Sequence, residues 1–362
     1  MISVTGGHGF LGWHLRAAAL AAGIPTTAIA LGDGFDLARA SHGIAASDRV
    51  IHLAGVNRGD DDEVRSGNRL MAEQLIAALE GASSVPSVLV YANSTQAGNG
   101  TVYGETKADA GQLLRRWCAD RGVMFVDVLL PNLFGEHGRP HYNSVTATFC
   151  SLLAKGESPS VVADKQLTML HAQDAADVLL LADVEHPALP SFGLSVSELL
   201  DRLRSISSVY RTGEIPALSS NLDIDLFNTY RSFLTEELRP IAHRRHVDAR
   251  GDFVEVIRSH GGTGQASYST TVPGITRGDH FHRRKVERFT VIDGTARISL
   301  RRVLTDKIVD VVVSGEDPVS IDMPALWSHS ITNIGDSTLR TLFWTNDIFD
   351  PDHPDTYAEA VR

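Results

Sequence analysis

Residues 5–12, Thr5-Gly6-Gly7-His8-Gly9-Phe10-Leu11-Gly12, set the architecture of the first part of the chain. They follow an apolar stretch that predicts a strand, Ile2–Thr5, and precede an Ala- and Leu-rich stretch that predicts a helix, His14–Gly23. Glycines here permit a tight turn and close approach of a pyrophosphate, while the helix N-terminus supplies amide donors. The order strand, glycine turn, helix predicts a dinucleotide site with cofactor contacts at Gly6, Gly9, Phe10, Leu11 and Gly12.

Strands and helices alternate beyond this turn. Strands are predicted at Thr26–Leu31, Arg49–Ala54, Ser87–Ala92 and Phe125–Leu130, and helices at Arg69–Glu80 and Thr106–Arg121. Alternation of this kind predicts a Rossmann-type doubly wound parallel sheet of the α/β class.

From about Arg245, short β-rich runs separated by Gly, Pro and Asp turns replace the helices. Closely spaced strands without long helices predict an antiparallel barrel or jelly roll. The chain has 362 residues, and that length accommodates two domains. We therefore expect an α/β domain over residues 1–242 and an all-β domain over residues 243–362.

Composition narrows the partners and the compartment. The net charge is −11 and no basic stripe is present, so a nucleic-acid surface is not expected. Two cysteines, Cys118 and Cys150, suit a reducing compartment. No apolar run approaches the ~20 residues of a membrane span, and the N-terminus lacks the pattern of a signal peptide. We predict a cytoplasmic protein with neither a nucleic-acid nor a membrane partner.

A second signature in the first domain combines Ser94 with Tyr103 and Lys107. Residues four apart on a helix share a face, which places the phenol beside the amine. Such a lysine can hold a nicotinamide ribose and lower the pKa of the phenol, so that Tyr103 exchanges a proton while Ser94 orients a substrate oxygen. We predict these three as catalytic residues, with Tyr103 and Lys107 also contacting the cofactor.

The second domain carries residue types that bind metal ions. His280 and His282 lie two apart, so on a strand both imidazoles point to one face, and Glu287 can reach that face from the next turn or strand. His329 offers a third imidazole from a distant strand. Three imidazoles and one carboxylate suit a divalent metal such as zinc, iron, manganese or nickel.

Further motifs accompany the glycine turn: Phe35-Asp36-Leu37, His52-Leu53-Ala54-Gly55 and Pro131-Asn132-Leu133-Phe134-Gly135. With them, roughly residues 1–240 resemble the extended short-chain dehydrogenase/reductases, which act largely on nucleotide sugars. The second of these motifs resembles the end of that family's fourth strand. The resemblance implies a substrate contact from Asn132 and further cofactor contacts from Asp36, Leu37, Leu53, Ala54, Gly55 and Pro131.

Three details depart from this family or discriminate within it. Ser94 and Tyr103 are only nine residues apart, so Thr95 is a second candidate for the serine's role. Asp33, with no evident arginine beside it for a 2′-phosphate, suits a ribose diol, so NADH is not excluded. Thr95 and Gln96 supply no carboxylate after Ser94, which disfavours dehydration and leaves reduction of a keto sugar or redox epimerisation.

The stretch from Gly274 through His280, His282 and Glu287 to Gly294 resembles the first cupin motif at every defined position. Pro324 through His329 to Asn333 resembles the second, with Leu326 where a glycine is usual. The resemblance implies a cupin jelly roll that epimerises a sugar or merely binds one. His282, Lys285 and Tyr268 are candidates for the base that such an epimerase requires.

The reductase-like and cupin-like parts occur together with three further stretches: Val56-Asn57-Arg58, Tyr142-Asn143-Ser144-Val145 and the C-terminal Phe349–Tyr357. In this combination the chain resembles the CapF/WbjC-like family of bifunctional UDP-sugar enzymes. The family implies a zinc-binding homodimer that acts on a UDP-linked 2-acetamido-2,6-dideoxy-hexos-4-ulose, on the route to UDP-N-acetyl-L-fucosamine for capsule or O-antigen. Its cupin epimerises C3, and its reductase transfers hydride from NADPH to C4. We predict substrate contacts from Arg58, Ser94, Asn132 and Asn143. The alternatives are a one-step 4-keto-sugar reductase with a non-catalytic cupin and a nucleotide-sugar sensor.

Overall fold

The computed structural model describes residues 1–234 and 240–362, which form two compact units. Unit 1 comprises Met1–Phe134, Gly138–Thr148 and Lys165–Ser195, and unit 2 comprises Gly135–His137, Phe149–Asp164 and Val196–Arg362. Residues 196–234, which precede the predicted domain boundary, therefore group with the β-rich part. The boundary at residues 242 and 243 as a division of the sequence stays a prediction.

Unit 1 is built on a parallel sheet. Its strands are β1 (Ile2–Thr5), β2 (Thr26–Ile29), β3 (Arg49–His52), β4 (Val88–Ser94) and β5 (Met124–Leu130), in the order β2-β1-β3-β4-β5. Its helices are α1 (Phe10–Ala21), α2 (Leu37–Ala45), α3 (Asp61–Gly81), α4 (Val102–Arg121), the start of α5 (Val145–Ala154), and α6 (Ala172–Leu181). Apolar residues of α1 and α6 form one core with the strands, and those of α2, α3 and α4 form another. Helices thus cover both faces, and the predicted Rossmann-type doubly wound sheet is confirmed.

A smaller sheet of three strands extends unit 1. It consists of β6 (Asn132–Phe134), β7 (Gln166–His171) and β8 (Phe192–Ser195). Because β6 begins directly after Pro131, this sheet holds the end of the Pro131–Gly135 motif in place.

Two helices begin earlier than the apolar pattern predicts. Helix α4 begins at Val102 instead of Thr106, because Thr101 Oγ1 accepts a hydrogen bond from Gly104 N at 3.1 Å as an N-cap. Helix α3 begins at Asp61, eight residues before the predicted start, behind a capping box formed by Asp60 and Glu63. Polar first turns carry no apolar periodicity, so the capping residues were the informative signal. Tyr103 therefore lies in the first turn of α4.

Unit 2 contains α7 (Val196–Tyr210), α8 (Asn221–Arg231) and two five-stranded antiparallel sheets. One sheet has the order β12-β19-β14-β17-β9, formed by Gln265–Thr271, Leu339–Thr345, Glu287–Asp293, Val319–Met323 and Ile241–Ala242. The other has the order β16-β15-β18-β13-β20, formed by Ile308–Ser314, Thr295–Arg302, Trp327–Asn333, Thr276–Phe281 and Tyr357–Ala358. A short hairpin of β10 (Arg245–Asp248) and β11 (Gly251–Val254) lies between β9 and β12 in the chain. This arrangement confirms the predicted antiparallel domain and is consistent with a cupin.

Leu326 occupies the glycine position of the second cupin motif in a left-handed conformation, with φ of 62°. Its amide donates to the carbonyl oxygen of His282 at 2.7 Å, and its side chain is fully buried. The turn therefore keeps the backbone form that glycine favours, and burial of the leucine offsets the conformational cost. Within the described residues, no helix has the length and apolar character needed to cross a bilayer.

Candidate active site and candidate metal centre

A cavity of about 690 Å³ opens in unit 1 beside the carboxyl ends of β1, β3, β4 and β5. The strand order reverses between β1 and β3, and the loops at such a reversal form the crevice in which α/β proteins bind nucleotides. Of the residues predicted from sequence, the cavity is lined by Gly6, Gly9, Phe10, Leu11, Gly12, Leu53, Gly55, Ser94, Tyr103, Lys107, Pro131, Asn132 and Asn143.

The glycine turn forms one wall of this cavity and is folded tightly on itself. A Cβ on Gly12 would lie 2.2 Å from the carbonyl oxygen of Gly6. Gly6 itself has φ of 68°, and a Cβ there would lie 2.8 Å from the backbone nitrogen of Ala54. Helix α1 begins directly after Gly9, so its N-terminal amides and positive dipole adjoin the cavity. The cradle fits the pyrophosphate of a dinucleotide.

Ser94, Tyr103 and Lys107 meet on another wall of the cavity. Lys107 is buried, and its Nζ donates to the carbonyl oxygen of Ala92 at 2.8 Å. Burial lowers the pKa of Lys107 to about 7, against the opposing effect of Asp127. Burial raises the pKa of Tyr103, while a hydrogen bond with Ser94 acts in the lowering direction. The phenol of Tyr103 is therefore protonated at neutral pH. The contact that lowers its pKa comes from Ser94, whereas the sequence pattern assigns that effect to Lys107.

Four predicted contact residues lie outside the lining, considering the part of the chain that the structure describes. Asp36 is the N-cap of α2, where its Oδ1 accepts from Arg39 N at 2.8 Å, and Leu37 is the first residue of that helix. Ala54 packs behind Gly6. Arg58 donates to the carbonyl oxygens of His141 and Tyr142 at 2.8 and 2.9 Å, so it fastens a loop at the cavity edge. Direct ligand contacts by these four residues stay predictions.

Two asparagines predicted to meet the substrate do line the cavity, and both amides are already oriented by the backbone. Asn132 Nδ2 donates to Thr168 O at 3.1 Å, and Asn143 Nδ2 donates to Asn57 O at 3.0 Å. Each side chain is thereby fixed with its amide oxygen left to serve as an acceptor.

Sequence reasoning missed Arg139, which lines the cavity with its guanidinium 4.8 Å from the Tyr142 ring. Arg139 and Lys107 are the charged residues of the lining, and no carboxylate lies among its described members. This local positive charge contrasts with the chain's net charge of −11. The position of Arg139, just beyond the Pro131–Gly135 motif and before Asn143, was the available signal.

The predicted metal-binding residues meet in unit 2. His280 lies on β13, His282 directly follows that strand, Glu287 begins β14 and His329 lies on β18 opposite His280. The ligand atoms of all four lie within 4.8 Å of one another. The Nε2 atoms of His282 and His329 each lie 3.1 Å from Glu287 Oε2. The strand pairing thus assembles residues that are distant in sequence into one cluster.

Hydrogen bonds show that this cluster fits a cation. The carbonyl oxygen of Asp355 lies 2.6 Å from Nδ1 of His282, and that of Trp327 lies 3.2 Å from Nδ1 of His329. A neutral imidazole donates through one nitrogen only. With Nδ1 donating, each Nε2 directs a lone pair towards the carboxylate of Glu287, and a positive ion between them removes the repulsion. Three nitrogens and one carboxylate oxygen are a donor set that zinc accepts.

The electrostatics favour the metal-binding protonation states. Burial, followed by the neighbouring His329 and His282, lowers the pKa of His280 to about 4, so this imidazole is neutral at neutral pH. In the metal-free chain, burial acts to raise the pKa of Glu287, but protons shared by the Nε2 atoms of His282 and His329 outweigh it and hold the pKa well below its usual range, and a bound cation takes the place of those protons. A neutral imidazole and an ionised carboxylate are the forms that bind a divalent metal.

The three candidate bases are placed differently. His282 belongs to the metal cluster, and Lys285 donates from Nζ to Pro354 O at 2.6 Å. In the strand register, Gln265 and Glu287 both pair with Thr345 and therefore share a face, whereas Tyr268 is three residues further along and faces the other way. Tyr268 is 55% exposed. The structure thus separates Tyr268 from the metal cluster.

Two family models match the chain. The NAD dependent epimerase/dehydratase family matches residues 2–188. The polysaccharide biosynthesis C-terminal domain matches residues 246–357. The first match contains the glycine turn and the Ser94, Tyr103 and Lys107 cluster, and the second contains the four predicted metal-binding residues.

Individual proteins also resemble the chain, two of them over nearly its whole length and one over its C-terminal part alone. A Pseudomonas aeruginosa protein named UDP-2-acetamido-2,6-beta-L-arabino-hexul-4-ose reductase is 32% identical over 376 residues, covering 99% of this chain and 98% of that protein. The crystal structure of the capsular polysaccharide assembling protein CapF from Staphylococcus aureus matches with a TM-score of 0.62 and 32% identity over 99% of both chains. The Bacillus subtilis spore coat polysaccharide biosynthesis protein SpsL is 29% identical over 120 residues, 31% of this chain and 80% of that protein.

Proposed function

Because this chain belongs to the NAD dependent epimerase/dehydratase family, we propose that it is a nucleotide-sugar 4-keto reductase. Its substrate is a UDP-linked 2-acetamido-2,6-dideoxy-hexos-4-ulose, and its reductant is NADPH. The observation that carries the proposal is the cavity in which Ser94, Tyr103 and Lys107 adjoin the glycine turn. The full-length similarity to the Pseudomonas aeruginosa reductase supports the choice of substrate.

NADPH, when bound along the glycine turn, supplies hydride to C4 of the sugar. Ser94 donates a hydrogen bond to the C4 ketone and holds it in place. Tyr103, protonated at neutral pH, gives its proton to the oxygen as negative charge develops there. The phenolate that forms favours the protonated form of Lys107, whose pKa is about 7 before the reaction, and the charged amine then stabilises the phenolate and holds the nicotinamide ribose. These donors are in place before the reaction, so they stabilise the transition state with little reorganisation.

Arg139 serves the diphosphate of the UDP group in this scheme. It is the exposed cation of the cavity lining, and Tyr142 packs against its guanidinium. Arginine matches phosphate oxygens with paired donors, which suits it to this task better than lysine. Asn132 and Asn143 offer acceptors to the sugar and nucleotide.

We further propose that the cupin domain epimerises C3 of the same keto sugar before reduction. His280, His282, Glu287 and His329 hold a divalent ion, zinc in our proposal. The ion, when bound, polarises the C4 ketone and so acidifies the proton at C3. The homodimer, the cytoplasmic location and the route to UDP-N-acetyl-L-fucosamine belong to the same proposal.

One observation favours the alternative, a single-activity reductase whose cupin only binds sugar or dimerises. Of the three candidate bases, His282 is committed to the metal cluster, Lys285 is bound by Pro354 and Tyr268 faces away from the cluster. A C3 epimerase needs a group that removes a proton, and none of these three is placed beside the ion without another role.

The test is one reaction in heavy water with the purified full chain, NADPH and the UDP-linked keto sugar, analysed by mass spectrometry and proton NMR. A product reduced at C4 and deuterated at C3 supports both activities. A product reduced at C4 without deuterium removes the epimerase and leaves the alternative. If the chain consumes no NADPH with this sugar, the reductase proposal is wrong.

A further inference from the structure

We propose that Asp355 is a positioning residue for the metal centre, because it fixes the orientation of His282 and ties the C-terminal segment to the metal-binding strand. This inference rests on the metal site of the proposed function. It assigns a role to a residue that lies 73 positions away from His282 in sequence and is not itself one of the four metal-binding residues.

The first observation is the contact between Asp355 and the ring of His282. The carbonyl oxygen of Asp355 lies 2.6 Å from Nδ1, while Nε2 faces Glu287. Donation by Nδ1 sets the tautomer and leaves the Nε2 lone pair for the ion. His329 obtains the same orientation locally, from Trp327 on its own strand at a longer 3.2 Å. His282 instead depends on a distant part of the chain.

The second observation concerns the carboxylate of Asp355. Its Oδ1 accepts from Arg283 N at 2.9 Å, and its Oδ2 accepts from Arg284 N at 2.9 Å and from Lys285 N at 2.8 Å. Three successive amides of this kind form a concave nest for an anion. The carboxylate of Asp355 occupies this nest, whose three amides directly follow His282 in the chain. The backbone carbonyl and the side-chain carboxylate of Asp355 therefore both bind the segment 282–285.

The third observation is the backbone conformation of Asp355, which has φ of 41°. A non-glycine residue keeps such a conformation only where its surroundings hold it. Lys285 Nζ binds the carbonyl oxygen of Pro354 on one side, and on the other Phe281 and His280 pair with Tyr357 and Ala358. Asp355 is thus held from both sides with its carbonyl aimed at His282.

These contacts predict a coupling between docking of the C-terminal segment and metal affinity. If the carboxylate no longer holds the nest, the carbonyl is released and the His282 ring can rotate or change tautomer. Residues that orient a metal ligand in this way typically change metal affinity ~10–100-fold when they are removed.

The test compares Asp355→Ala with Glu359→Gln in the full chain. Glu359 fastens the same segment by accepting from Arg301 Nη2 at 2.7 Å, without touching a metal-binding residue. Zinc affinity is measured by competition with a chromophoric chelator, the cobalt(II) absorption spectrum reports ligand geometry, and unfolding of the metal-free chain reports stability. Asp355→Asn retains the size of the side chain but loses one acceptor oxygen, and it serves if the alanine variant does not fold.

We expect Asp355→Ala to weaken zinc binding ~10–100-fold and to alter the cobalt spectrum, Asp355→Asn to fall between, and Glu359→Gln to stay close to wild type in both. Wild-type affinity and spectrum in both Asp355 variants would overturn the proposal, even if their stability fell. A wild-type chain that binds neither ion would contradict the metal centre of the proposed function itself, which is a separate and recognisable outcome.

Discussion

The cavity of unit 1 and the metal cluster of unit 2 are built in opposite ways. The cavity is wide, about 690 Å³, and much of its wall is glycine and neutral polar residues. The candidate metal cluster is compact, with four ligand atoms within 4.8 Å of one another. A wide cavity spreads binding over many contacts and leaves only a few groups at the reacting atoms. A compact cluster depends on a few side chains for all of its function.

This difference predicts how each site responds to change. In the cavity, substitutions should separate binding from chemistry, because different residues serve each. In the metal cluster, one substitution should remove the ion and everything that depends on it. The substitutions below test that contrast.

Tyr103→Phe is expected to have the largest effect. Removal of the phenolic proton should lower the rate of NADPH-dependent reduction ~10²–10⁴-fold, because general acid catalysis contributes about that much. NADPH affinity and deuterium exchange at C3 should persist. Stopped-flow absorbance at the nicotinamide band measures the rate. The matched control is Tyr268→Phe, which loses the same hydroxyl on the outer face of the β domain. Reduction by Tyr103→Phe at the wild-type rate would remove Tyr103 as the acid.

His329→Ala should remove the ion and C3 exchange together while reduction of a sugar that already has the product configuration continues. Loss of a direct ligand should cost at least the ~100-fold affinity change expected for an outer-shell residue. Elemental analysis after dialysis, and exchange followed by NMR, measure the two effects. His353→Ala, on the exposed C-terminal segment, is the control. Retention of zinc by His329→Ala, or exchange that survives chelation, would contradict the metal role.

Gly12→Ala tests the cradle. Its methyl group would meet the Gly6 carbonyl oxygen, and overpacking of this kind typically costs about 1–3 kcal/mol. Because the turn must shift to admit this methyl group, the cradle loses its fit to the pyrophosphate, and NADPH affinity should fall without a change in zinc content, as fluorescence titration and elemental analysis would show. Gly193→Ala, where a Cβ meets open space, should bind NADPH as wild type does. Equal affinities in the two variants would mean that the turn does not approach the cofactor.

Lys107→Met is expected to change the pH dependence of stability. Burial lowers the pKa of Lys107 to about 7, below its usual value of 10.5, so the unfolded chain binds more protons between these values. Lys107 should thus lower the free energy of unfolding below pH ~7, and this cost should disappear as pH rises towards ~10.5. The difference in stability between wild type and Lys107→Met should therefore change over this window in urea titrations. A constant difference would show that Lys107 has an ordinary pKa.

Much of the fold followed from local patterns. The fold class and the resemblance to CapF-like proteins are confirmed, the latter by the full-length similarity. The four residues predicted to bind a metal lie together, as strand spacing and the cupin motifs indicate, and metal binding by them stays a prediction. The starts of α3 and α4 were misplaced, since their first turns are polar and are recognised by the caps at Asp60 and Thr101 instead. The roles of Ser94, Tyr103 and Lys107 stay predictions.

Other features could not be predicted from the sequence, because they depend on contacts between residues that are distant in the chain. The hydrogen bond from His282 to Asp355 joins residues 73 positions apart, and the lining position of Arg139 depends on the conformation of its loop. Neither has a local spacing that would reveal it. The orientation of Tyr268 likewise follows from the register of β12 against β19, which no single strand specifies.

The sequence by itself determined which chemistry is present: a glycine turn, a serine, tyrosine and lysine set, and a histidine and glutamate set, each written in short-range spacing. Tertiary structure alone decided which partners these groups contact and which protonation states they adopt. Burial in the folded chain lowers the pKa of Lys107 to about 7, and the fold places Asp355 beside His282. It also directs Arg58 to the backbone of a loop, whereas Arg139 lines the cavity. Spacing fixes what one element can present, whereas burial and pairing depend on elements that meet only when the chain has folded.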